Sequence, residues 1–91
     1  MSIATIATQL KMPVSVLKKE SIQDFLERKL LIVETELFSL ASKYGVKGIQ
    51  ELDRKIKKGF IHETAESRED FFEFDHLESQ RDILQKLVKS L

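Results

Sequence analysis

The sequence predicts a mainly α protein: a long antiparallel helical hairpin with a short helix at the bend and an extended N-terminal arm or strand. Three observations carry this. Between Ser21 and Tyr44 the residues Ile22, Leu26, Leu30, Val33, Leu37, Leu40 and Tyr44 recur at steps of three and four, which keeps one apolar stripe along a helix. A second stripe, Phe71, Phe74, Leu77, Leu84, Val88 and Leu91, runs to the end of the sequence. Between them lies a short apolar repeat, Ile49, Leu52 and Ile56, with Gly48 before it and Gly59 after it.

The first long helix contains no Gly or Pro, and Leu, Glu and Lys are strong helix formers. Ser21 is its candidate N-cap, with Asp24 supplying a carboxylate to the free amides, and Gly45 its candidate stop. Phe25, Leu31, Ile32 and Phe38 flank the stripe and widen the apolar face. The short helix spans about Gly48 to Lys58. Glu51 with Lys55 and Asp53 with Lys57 are favourable pairs four residues apart, and Lys55, Lys57 and Lys58 crowd the negative end of its dipole. That solvated, dipole-matched role accounts for the lysines better than contact with nucleic acid does. Ser67 is expected to cap the last helix, with Glu69 and Asp70 in its first turn and Lys86 and Lys89 in its last. Phe72, Ile83 and Leu87 flank its stripe, and Gln80 or Arg81 interrupts it.

Residues 1–20 read as an arm and junction, separate from a helical domain over 21–91. Ala4, Ile6, Thr8, Leu10, Met12, Val14 and Val16 fall on alternate positions, the period of a strand, with Pro13 ending or edging it. A lone strand in a helical chain pairs with a symmetry mate, adds to a partner's sheet, or stays loose until bound. Ala4, Ile6, Leu10 and Met12 are therefore candidate partner-binding residues.

A chain of 91 residues with no cysteine, no long apolar run and zero formal net charge excludes several classes. It holds no disulfide framework, thiolate zinc site or cysteine nucleophile. No membrane span and no signal peptide are expected, so a cytoplasmic location is the default. Bulk charge gives no general affinity for nucleic acid. Many charged residues, three glycines and no asparagine are consistent with a thermophilic source.

No phosphate loop, Ser-His-Asp set or zinc motif occurs, so the sequence points away from an enzyme and from any cofactor. Glu73 and His76 have the Glu-x-x-His spacing used by di-metal bundles, but a chance match in so acidic a stretch explains it better, and no metal ligands are assigned. Charge asymmetry is more informative. Glu63 to Glu78 is strongly acidic, with Arg68 its one base, while Lys43 to Lys58 is mainly basic. Glu69, Asp70, Phe71, Phe72 and Asp75 form an acidic-aromatic patch suited to a basic groove on another protein. Leu26, Leu30, Val33, Leu37, Leu40, Leu77 and Leu84 are the expected helix interface, of coiled-coil character.

Several stretches together resemble a group of small, largely uncharacterised archaeal and other prokaryotic helical proteins regarded as antitoxin-like. They are Glu20-Ser21 leading to Phe25-Leu26-Glu27-Arg28-Lys29-Leu30, then Lys43-Tyr44-Gly45-Val46, Glu51-Leu52, Ile56-Lys57-Lys58-Gly59, Glu69-Asp70-Phe71 and His76-Leu77-Glu78. The resemblance implies a cognate partner protein, such as a ribonuclease toxin, and assigns no functional residue. The expectation is a non-catalytic protein-interaction module, a homodimer or higher oligomer. The alternatives are a DNA-binding regulator of ribbon–helix type, which lacks the turn that type needs within Ser21 to Tyr44, and a di-metal bundle.

Overall fold

The computed structural model describes all 91 residues and contains four helices and no strand. They are α1 (Ile3–Gln9), α2 (Val14–Tyr44), α3 (Ile49–Lys57) and α4 (Ala65–Ser90). The long antiparallel pair is α2 and α4, with α3 at the bend, as the two apolar stripes require. Lys43 on α2 reaches Glu66 and Asp70 on α4, which fixes the register of the pair.

The arm departs from expectation. Residues 3–9 are helical, and Ala4, Ile6 and Leu10 belong to α1 or its C-cap, while Met12 lies half-buried in the following turn. Alternation at two and a helical stripe coexist in this stretch, because Ile3, Ala7 and Leu10 also step by four and three. Ser2 decides the start: its hydroxyl accepts the Thr5 amide at 3.2 Å. Seven residues make a marginal helix in isolation. Packing on α2, with Ala7 buried, holds it. The ribbon on which the DNA-binding alternative depends is thus a helix.

The first long helix is also longer than expected. It begins at Val14 behind Pro13, which has an extended ψ of 145°, and runs 31 residues, about 46 Å. Ser21 is an interior position: nothing between 14 and 44 breaks a helix, and a capping residue in mid-helix does not end one. The last helix starts earlier too. Thr64 is its N-cap, in a reciprocal box with Ser67, whose hydroxyl is buried and also donates to the His62 carbonyl at 2.9 Å.

Three helices end in the same reversal. Val46 donates to Ala41 and Gly45 to Ser42, Phe60 to Lys55 and Gly59 to Ile56, and Met12 to Ala7 and Lys11 to Thr8. Each needs a left-handed residue, supplied by Gly45 (φ 62°), Gly59 (φ 79°) and Lys11 (φ 56°). Between the two long helices, Glu78 on α4 accepts the Ile49 amide at 3.0 Å and caps α3 from across the chain.

The core is small. Val33, Leu37, Val46, Leu52, Phe74 and Leu77 are buried, with Leu40, Ala41, Tyr44, Ile56, Phe71 and Leu84 packed against them. The Cα extents are 61 × 23 × 16 Å and the radius of gyration is 19.0 Å, against about 12 Å for a compact chain of this length. Along the distal hairpin only α2 and α4 lie side by side, a single layer where a globular domain has at least two.

Candidate interaction surface

The distal hairpin leaves one side of α2 and of α4 uncovered, and part of what lies there is apolar. The accessible surface is 6877 Å². A compact monomer of 10.6 kDa exposes about 5,500 Å², so the excess is about 1,400 Å². It carries Phe25 (59% exposed), Ile32 (57%), Phe38 (74%), Phe72 (68%) and Ile83 (60%). These are large side chains that folded chains ordinarily cover.

The most coherent part is a groove of about 450 Å³ along the distal half of the hairpin. From α2 come Phe25, Lys29, Ile32 and Glu36, at steps of four, three and four, so they share one helix face. From α4 come Gln80, Ile83 and Leu84, with Leu87 one turn beyond Ile83 on the same side. Lys29 lies 5.8 Å from the centre of the Phe25 ring, a cation over an aromatic face. Neither Lys29 nor Glu36 forms an ion pair within the chain. Toward the bend the same face turns polar, with Thr35, Ser39 and Glu73.

The acidic-aromatic patch is divided by the fold. Asp70 faces inward to Lys43 (2.6 Å) and to the Tyr44 hydroxyl. Lys43 also holds Glu66 at 2.5 Å. The Lys43 ammonium and the Tyr44 hydroxyl keep the Asp70 carboxyl below the ordinary carboxylate range. Bonds to Asp70 and Glu66 raise Lys43, while burial and then the bond to Asp70 raise the Tyr44 phenol. Phe71 is half-buried, edge-on to Phe72 at 5.9 Å between ring centres. Phe72, Glu69 and Asp75 stay exposed. The basic and acidic stretches therefore partly satisfy each other: α3 packs against α4, and Lys43 closes on its acidic start.

Of the expected interface residues, Val33, Leu37 and Leu77 are buried, and Leu26, Leu30, Leu40 and Leu84 half-buried, all along the seam side of α2 or α4. Ala4, Ile6 and Leu10 are exposed on α1 and its cap. No three metal-ligating side chains gather in one place, and Glu73 and His76 remain a pair. No helix is long and apolar enough to cross a membrane. Sequence reasoning passed over Lys29 and Glu36, which look like ordinary solvated charges until Ile32 and Ile83 are seen beside them. Their spacing of seven, with apolar neighbours at 25 and 32, was the available signal.

No curated protein and no solved structure matches the chain. One family model does, and a match over residues 1–91 means that the chain belongs to the uncharacterized protein MJ0235 family.

Proposed function

We propose that this protein is a non-catalytic protein-interaction module of antitoxin type, one that self-associates and covers a partner protein such as a ribonuclease. The observation that supports the reading is the surplus surface: about 1,400 Å² beyond a compact monomer, bearing aromatic and branched aliphatic side chains. A stable protein interface buries about 800 Å² per partner, so the surplus is large enough for one such contact. At the bend, Phe72 stands out between Glu69 and Asp75, beside a shallow depression lined by Ile56, Arg68 and Phe71. An aromatic anchor ringed by carboxylates suits a basic groove. The likeness of Glu69-Asp70-Phe71 and the neighbouring stretches to antitoxin-like proteins supports the same reading.

Purification of the tagged chain from its native host tests it. The expected result is a basic partner in stoichiometric amount, whose ribonuclease activity stops when the pure chain is added back, and whose retention falls at least about tenfold for Phe72→Asp. No stoichiometric partner, or one retained equally by the variant, removes the reading.

A further inference from the structure

We infer that the missing second layer of the distal hairpin is another copy of this chain, laid antiparallel across the Phe25–Ile32–Ile83 groove with Lys29 against the partner's Glu36. This rests on the reading of the chain as an interaction module and names one occupant of one face.

The face is the first argument. The α2 stripe of Phe25, Lys29, Ile32 and Glu36 points about a quarter-turn away from the stripe that meets α4, so it looks out of the plane of the hairpin. The Ile83–Leu87 side of α4 looks out of the same plane. A helix pair with both members apolar on one side is half of a four-helix bundle. The opposite side does not qualify: α2 offers Phe38 there, but it stands among the charged Glu34, Lys47 and Arg81.

Charge selects the occupant. Lys29 and Glu36 lie two turns apart, about 10 Å along the axis, too far to pair with each other. Their midpoint falls between Ile32 and Val33. A two-fold axis crossing α2 there sets Lys29 opposite the partner's Glu36, and the same operation makes the reciprocal pair. The two Ile32 side chains then meet at the axis, enclosed by Phe25 and Ile83. A self-complementary pattern of plus, apolar, minus is what an isologous contact requires and what a chance partner would not match.

Area agrees. The chain as a whole exposes about 1,400 Å² more than a compact monomer, above the roughly 800 Å² per copy of a standard interface. The same axis sets Thr35 and Ser39 against the partner's α2 within the seam and leaves the two bends at opposite ends of the assembly.

The test uses the full chain and sedimentation velocity over a range of concentrations. Wild type is expected to be a dimer. Lys29→Glu and Glu36→Lys, each of which sets like charges across the seam, are each expected to raise the dimer dissociation constant by about tenfold or more, and the double variant to restore it. Because the chain has no cysteine, Ile32→Cys should cross-link to its own copy under mild oxidation, while Phe38→Cys should not. Circular dichroism on each variant separates lost association from lost helix. A monomeric wild type, a dimer whose double charge swap fails to recover, or a cross-link through position 38 instead of 32 overturns the assignment. The two readings fail separately: a monomer that still captures its partner through Phe72 loses only the dimer, and a dimer with no partner loses only the binding role.

Discussion

Lys11 shows how one residue type can hide a structural decision. It holds the same left-handed turn as Gly45 and Gly59, with the same pair of closing hydrogen bonds, but carries a side chain that makes this backbone costly. The two glycines were legible as helix stops because glycine marks such turns; the lysine was not, so the stretch before it read as a strand. Replacing Lys11 by Gly should stabilise the fold by about 1 kcal/mol. Gly45→Ala should cost a similar amount, from backbone strain alone, since nothing lies within 4 Å of the added carbon. Thermal unfolding at fixed protein concentration checks both.

Asp70 gives a pH prediction. A carboxyl held below its ordinary value contributes stability that is fully present above about pH 3.9 and is lost as pH falls through the lower folded value. Acid titration should therefore destabilise wild type more than Asp70→Asn over that window. Lys43 and Tyr44 are shifted upward, so their contributions fade only in strong alkali. Asp70→Ala should cost about 1 kcal/mol near neutrality, chiefly by orphaning the part-buried Tyr44 hydroxyl. From sequence alone Asp70 looked like part of an outward acidic patch. Only the closing of the hairpin, which brings residue 43 to residue 70, turns it inward.

Among the helices, α2 and α4 were legible because sustained periodicity over 20 or so residues has few other solutions. Their starts were not, because Pro13 and Thr64 had to compete with Ser21 and Ser67 as caps, and the winner depends on what the preceding residues pack against. The small core should be unforgiving: Phe74→Ala or Leu52→Ala should cost about 3 kcal/mol or more, since both side chains are fully enclosed. By contrast α1 holds on through Ala7 and a few neighbours. Its amides should exchange with solvent far faster than those of α2 around Val33. Ala7→Asp should release it while leaving the rest of the helical signal intact.

For the molecule as assembled, the sequence disclosed too much apolar helix surface for one chain, but not where the surplus lay. The seam between α2 and α4 takes the strongest stripe, and three of the flanking residues read as mere widening of it, Phe25, Ile32 and Ile83, line the open groove. If that groove closes on a second copy, stability depends on concentration. The midpoint of thermal unfolding should rise with protein concentration for wild type and stay constant for Ile32→Asp.

A core of so few side chains also divides the residues into two accounts of mutational tolerance. Folding of one chain draws on the few enclosed side chains around Leu52 and Phe74, so a display or protease screen of single molecules should forgive nearly everything else. Growth of the host is a different filter. Positions such as Phe25, Ile32 and Ile83, harmless in the first screen, should be intolerant in the second, and the difference between the two maps would draw the outline of whatever settles on the open side.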